Sequence, residues 1–164
     1  MKMPLNVAAW IQFQLYLITI DRYSPESIYT SAYKLSEDPK RRWQLAVDAI
    51  YRFGVCGLMD ICDIEIWKDD GIRSIEDLAK VLAQFNPADR NNSSVLNYWV
   101  APQVIGTELC QTLIDKYDLD SYSYPPMIVC EPFIEEIEVL FQCNGVSWSD
   151  EHLIALGLGA VAQS

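Results

Sequence analysis

The residues best suited to nucleophilic catalysis are Cys143 and His152, which lie close together late in the sequence. His152 is the single histidine of the chain, so any Cys/His or Ser/His/Asp arrangement would have to use it as the base. It falls in the first turn of a predicted helix, where a surface or half-buried structural histidine is the more common interpretation. We therefore predict no catalytic residue.

The short motifs that hold phosphates or metal ions are also absent. There is no GxxxxGKS or GxxxxGKT sequence and no GxGxxG sequence after a strand, so no nucleotide-binding loop is predicted. The five cysteines form no CxxC pair and no Cys/His zinc spacing. Their mostly apolar surroundings predict reduced, buried thiols. Because the calcium pattern DxDxDG is missing as well, we predict no metal, no cofactor and no enzymatic activity.

The charge of the chain is its strongest functional signal. The net charge is -11, and it is uneven: residues 1–82 carry ten basic and twelve acidic residues, whereas residues 83–164 carry two and eleven. A field of that sign repels nucleic acid and anionic membranes, and it speeds encounter with a basic protein. We therefore predict a basic protein partner, with no nucleic acid and no membrane. The competing interpretation is that the acidity serves only solubility.

The candidate partner-binding residues are carboxylates and tyrosines of the acidic half. Within FIEEIEVLF, the like charges of Glu135, Glu136 and Glu138 repel one another on a helix and have no purely local rationale. The turn-rich connector DLDSYSYPP adds acids and tyrosines, and aromatic side chains are frequent interface anchors. The predicted set is Asp115, Asp118, Asp120, Tyr122, Tyr124, Glu135, Glu136 and Glu138.

These residues must be positioned by a fold that the sequence predicts to be mainly α. At 164 residues and 51% hydrophobic, the chain suits one domain over residues 1–164. The segment from Trp43 to Cys62 is apolar nearly all round, as expected for a helix with neighbours on several sides. Its one polar seam, Gln44, Asp48 and Arg52, faces water or another helix. The prediction is a single-domain bundle of about six helices around this buried central helix, with one short β pair allowed.

Boundary residues place the other helices. Ser24-Pro25, Asp38-Pro39 and Ser74 are typical of helix starts. We expect close packing at Gly54 and Gly57 or the end of the central helix near Gly57, followed by a short extended stretch in which Ile64 and Ile66 alternate with acids. A further helix is predicted over residues 25–35, with Tyr33 on its buried side. Another runs from Gln103 to Tyr117, with Ile105, Leu109, Thr112 and Leu113 facing inward. Two more are predicted to begin at Pro132 and after a cap at Ser149-Asp150-Glu151. Helix and strand remain open for residues 5–20, 57–67 and 95–101.

The expected location is the cytoplasm. No apolar run reaches the ~18 to 20 residues that a membrane span needs. The apolar stretch near the beginning has one preceding lysine and no small-residue cleavage site, so a signal peptide is not predicted either.

The run RFGVCGLMDICDIEIW, followed by SIEDLAKVL, resembles bacterial toxin-immunity proteins of the contact-dependent inhibition type. The resemblance implies a tight one-to-one complex with a cognate toxin domain in the cytoplasm of the producing cell. The acidity of the chain favours a basic toxin of the nuclease type. It implies no particular site residue. The alternative is a non-catalytic helical adaptor or regulatory subunit that binds its partner through apolar surface. The sequence leaves the oligomeric state open.

Overall fold

The computed structural model describes residues 1–121 and 128–157, and these residues are mainly helical, as predicted. Their seven α-helical segments are α1 Leu5–Ile20, α2 Pro25–Ser31, α3 Pro39–Val55, α4 Ile75–Leu82, α5 Ser93–Val95, α6 Glu108–Lys116 and α7 Glu131–Cys143. The two strands are β1 Met59–Ile61 and β2 Val104–Gly106. The shorter turns are the 3-10 turns Ala32–Lys34, Ile64–Asp70 and Leu119–Ser121, and the π-helical turn Leu96–Val100.

Helix α3 is the predicted central helix. It begins where the sequence indicated, because the Asp38 side chain accepts a hydrogen bond from the amide of Lys40 and Pro39 is the first helical residue. It packs against α2, α4 and β1. Its end is set by Gly57, whose φ of 67° lies in the left-handed region that favours glycine. Buried side chains from α3 and the surrounding helices form one continuous apolar cluster.

Gly54 allows α4 to approach α3 closely. A Cβ atom at this position would lie 2.6 Å from Ile75 Cγ2 and 2.7 Å from Ile75 Cβ. In an open helix, replacing glycine with alanine gains up to about 1 kcal/mol. Here we expect Gly54→Ala to lower the free energy of unfolding by about 1 to 3 kcal/mol, because α4 must move. Urea denaturation measures the change, and a gain in stability would contradict the close contact.

The β pair that the sequence allowed is present, but its first strand lies earlier in the chain than the predicted extended stretch around Ile64 and Ile66. Strands β1 and β2 are antiparallel, with Asp60 opposite Ile105. The segment containing Ile64 and Ile66 is a 3-10 turn rather than a strand. It follows Asp63, whose φ of 52° turns the chain away from the extended direction.

The helix predicted from Gln103 to Tyr117 begins only at Glu108. Residues 104–106 pair with β1 instead, and the Thr107 side chain then caps α6 by accepting a hydrogen bond from the amide of Cys110. This later start changes which residues face inward. Cys110, Leu113 and Ile114 are buried, whereas the predicted inward residues Ile105, Leu109 and Thr112 are exposed.

The structure resolves the open question at residues 5–20 and confirms the second helix with one correction. Residues 5–20, left open by the sequence, form α1, and the Ser24 side chain caps α2 by accepting from the amide of Ser27. Tyr33 is 58% exposed, although it was predicted to face the core. The chain tightens into a 3-10 turn after Ser31, and three residues per turn carry Tyr33 off the buried side of α2.

The predicted last helix is wrong for residues 149–157, which are neither helical nor extended into a sheet. Their backbone bonds instead to the polar seam of α3: Gln44 donates to the Ile154 carbonyl at 2.8 Å, and Asp48 accepts from the amides of Leu153 and Ile154 at 3.1 and 3.2 Å. Arg52 donates to the carbonyls just before this stretch. The seam therefore faces neither water nor a helix but holds a segment that has no secondary structure of its own.

None of the helices in the described parts of the chain is long and apolar enough to cross a bilayer.

Candidate functional site

The predicted partner-binding residues that the structure describes lie around the end of α6 and along α7. Leu113 and Ile114 of α6 and Phe133 and Ile137 of α7 turn into the core. The Tyr117 ring meets the Phe133 ring edge to face, with 5.9 Å between the ring centroids. The apolar sides of the two helices thus hold their polar sides at the surface, close to one another.

Glu136 is engaged within the chain. Lys116 Nζ donates to its carboxylate at 2.7 Å, and the Tyr117 hydroxyl donates to the same oxygen. The hydrogen bond from Lys116, followed by that from Tyr117, lowers the pKa of Glu136 below its ordinary value. Glu136 therefore ties α7 to the end of α6.

Glu138 anchors the beginning of the chain. One carboxylate oxygen accepts from the backbone amides of Lys2 and Met3, at 2.7 and 2.5 Å. The N-terminal ammonium of Met1 lies 4.0 Å from the other oxygen and 3.8 Å from Glu135. The Glu138 side chain is only 15% exposed, so its role in this structure is to hold residues 1–3 against α7.

The remaining carboxylates are exposed, and among the described residues only Glu135 of this set has an ion-pair partner, the ammonium of Met1. Asp115, Asp118, Asp120 and Glu135 are all exposed, and we call these four residues the acidic surface. Asp115 accepts only from Gln111 one turn earlier, and Asp118 only from the Ser121 hydroxyl, within the described residues. Such local bonds to exposed carboxylates leave further lone pairs available to a cationic side chain.

The basic residues of the acidic half are already engaged. After residue 82 the sequence contains two, Arg90 and Lys116. Arg90 pairs with Glu26 of α2, and Lys116 pairs with Glu136. Neither cation forms an ion pair with the acidic surface in the structure, and the field of Asp115, Asp118 and Asp120 is not offset by a paired lysine or arginine.

Two of the predicted contact residues, Tyr122 and Tyr124, lie outside the described residues. Cys143 and His152 are both exposed, and no hydrogen bond joins them in the part of the chain that the structure describes. All five cysteines are free. Cys56, Cys110 and Cys130 are buried as predicted, whereas Cys62 is only partly buried and Cys143 is exposed. Burial raises the pKa of the Cys110 thiol to about 12. Within residues 1–121 and 128–157, no three metal-binding side chains lie together.

The roles of Glu136 and Glu138 were missed from the sequence. Their partners are distant along the chain. Lys116 and Tyr117 lie 20 and 19 positions before Glu136. The amides of Lys2 and Met3 lie 136 and 135 positions before Glu138. The one available signal was that Lys116 is one of two cations in an acidic half. Such a cation is a natural partner for one of the crowded glutamates.

The pKa of Glu136 gives a direct check on this pairing. We expect Lys116→Met to raise it toward the ordinary value, as followed by the carboxyl carbon shift in an NMR titration, whereas Lys40→Met should leave it unchanged. Because the pKa is lowered in the folded state, the pairing stabilises the fold above the unfolded-state pKa and is lost as pH falls through the folded-state value. The effect on stability should be small, because Lys116 is 54% exposed. No change in the titration of Glu136 would contradict the pairing.

Comparison of the chain with protein-family models, with curated proteins and with solved structures finds no match in any of the three.

Proposed function

We propose that this chain is a bacterial immunity protein that binds and neutralises a basic toxin domain, of the nuclease type, through its acidic surface. The complex forms in the cytoplasm of the producing cell, and the chain performs no catalysis of its own. The observation that carries the proposal is the exposure of Asp115, Asp118, Asp120 and Glu135 in a half of the chain whose only two basic residues are paired elsewhere.

Electrostatics explains why such a surface suits a toxin inhibitor. A nuclease binds a polyanion through clustered lysines and arginines, so its cleft attracts carboxylates. Complementary charge raises the association rate by steering the two proteins together, and a fast rate is useful when free toxin is harmful. Lone pairs that remain on Asp115 and Asp118 can accept hydrogen bonds from arginine in the charge-assisted, paired geometry.

We choose the residues for testing by their contacts within the chain. Glu136 and Glu138 already bind other parts of this chain, so changing either one would alter contacts within the chain as well as in any complex. The four residues of the acidic surface can be changed with less structural effect, since their side chains are exposed. Tests of the proposal should therefore use these four residues.

The first test is capture of the partner by tagged chain from the organism that encodes it, with washes of rising salt. We expect one small basic protein, released as the salt concentration increases. Identification then allows an assay of its activity on DNA and RNA in the presence and absence of the chain. A partner whose retention is insensitive to salt, or a basic partner that stays fully active in the complex, would contradict the proposal.

A further inference from the structure

Helix α1 presents an uncharged apolar stripe on its outward side. Leu5, Ala9, Phe13, Leu17 and Ile20 recur every three or four residues and share this side, and none of them is buried. Leu5 is 63% exposed and Ile20 is 55% exposed. In a chain of net charge -11, a continuous helix face without a charged side chain is unusual and indicates a contact surface.

Two grooves border this stripe on opposite sides of α1. On one side Trp10 donates to the Ser31 hydroxyl at 2.8 Å, and a groove of about 380 Å³ runs between α1 and residues 31–35. On the other side Gln12 donates to the Ile128 carbonyl and accepts from the amide of Cys130. A second groove, of about 570 Å³, lies there, lined by α1, Ile128, Val129 and Glu131.

The charges at the two borders are of opposite sign. Lys34 lines the first groove, with Nζ 5.8 Å from the centre of the Phe13 ring, and Glu131 lines the second. Both grooves include Asn6 and Ala9, so they lie at about the same height along α1. A two-fold axis parallel to α1 would therefore set Lys34 of one copy opposite Glu131 of the other, twice. The surface is complementary to itself, as a symmetric dimer requires.

The four most exposed apolar side chains supply about half of the area that such a contact needs. Leu5, Ile20, Tyr33 and Ile128 are each more than half exposed. With about 200 Å² for a large apolar side chain, these four alone supply roughly 400 Å² per copy. The partly exposed neighbours and the groove walls add to this, and a stable interface needs about 800 Å² per partner.

We propose that two copies of this chain associate through the α1 stripe as a two-fold dimer. The small Ala9 at the middle of the stripe lets the two α1 helices approach closely, and the Lys34 and Glu131 borders set their direction. The dimer uses none of the four residues assigned to the toxin, although Glu131 lies one turn before Glu135 on α7. The dimer can therefore be tested without the toxin and without changing the acidic surface.

Sedimentation equilibrium of the purified chain, over the micromolar to millimolar range, tests this proposal. We expect a monomer–dimer equilibrium for the native sequence. Leu5→Glu places a charged carboxylate in the apolar interface, and we expect the dimer dissociation constant to rise at least about 30-fold. Glutamate suits the first turn of a helix, so the fold should be retained. Val139→Glu, at a residue 56% exposed on α7, is the matched control and should dimerise normally.

A charge exchange tests the arrangement of the two copies. Lys34→Glu and Glu131→Lys should each weaken the dimer, and the double variant should restore it. A native chain that stays monomeric from micromolar to millimolar concentration would overturn the proposal. The stripe would then be a surface for binding a different protein, as in the adaptor alternative. A dimer that Leu5→Glu does not weaken, or that Val139→Glu weakens equally, would also overturn it.

Discussion

Replacing Arg52 with methionine is expected to lower the free energy of unfolding by about 3 to 5 kcal/mol, the largest effect of any single substitution considered for this chain. Arg52 is 1% exposed; its Nε donates to the Val146 carbonyl at 2.8 Å and its Nη2 to the Ser147 carbonyl at 3.0 Å. Its guanidinium also lies 4.8 Å from the centre of the Trp148 ring. Methionine has a similar length but leaves both carbonyls without their donor.

Arg42 is the matched control, because it lies on the same helix and also stacks on an aromatic ring. Its guanidinium is 5.4 Å from the Tyr29 ring centre, but its Nε has no hydrogen-bond partner within the described residues. We expect Arg42→Met to cost no more than about 1 kcal/mol. Urea denaturation of both variants gives the comparison. Equal losses would show that the bonds from Arg52 to the chain after α7 contribute little.

The second large effect concerns binding by the acidic surface. A variant with Asp115→Asn, Asp118→Asn, Asp120→Asn and Glu135→Gln is expected to associate with the captured basic protein on the order of 10- to 100-fold more slowly at low salt, with a weaker salt dependence. Asparagine tolerates the left-handed backbone of Asp118, whose φ is 48°, so the fold should be retained. Stopped-flow measurement at several ionic strengths determines both quantities.

A control variant separates a local effect from a change in total charge. Glu37→Gln, Asp60→Asn, Asp69→Asn and Asp89→Asn remove the same charge from other exposed carboxylates. Since steering depends on where the charge lies, this variant should associate at nearly the native rate. Equal slowing of the two variants would mean that net charge, rather than the acidic surface, determines the encounter.

Local signals in the sequence predicted three helix starts correctly, although the cap predicted at Ser149 begins no helix within residues 149–157. Ser24, Asp38 and Ser74 each accept a hydrogen bond from a backbone amide of the first turn, as their residue types indicated. The end of α3 at Gly57 and the turn at Gly145 follow equally from local backbone preference, because both have positive φ. Each of these features depends on a few residues that are neighbours in the sequence, so their residue types alone are enough to predict it.

Features that depend on distant parts of the chain could not be predicted in the same way. Residues 104–106 leave the helical pattern because β1, more than forty positions earlier, supplies their partners. Residues 153 and 154 stay irregular because Asp48 of α3 accepts from both of their amides. In each case a long-range bond replaced a local helical one, and the sequence gives no direct indication of which distant group will be available.

The candidate site shows the same division. The sequence identified the acidic half, and the structure shows four of its predicted carboxylates exposed. It did not indicate that Glu136 holds Lys116 and Tyr117, or that Glu138 holds the amides of residues 2 and 3. The clustering of glutamates on α7 is therefore partly explained by contacts within the chain.

The most direct measurement of the proposed function is growth of bacteria that express the captured basic protein together with this chain. We expect the basic protein alone to stop growth and the native chain to restore it. The variant lacking the four charges of the acidic surface should protect poorly, whereas the variant altered at Glu37, Asp60, Asp69 and Asp89 should protect fully. A basic protein that is harmless alone, or equal protection by both variants, would contradict an immunity function exerted through the acidic surface.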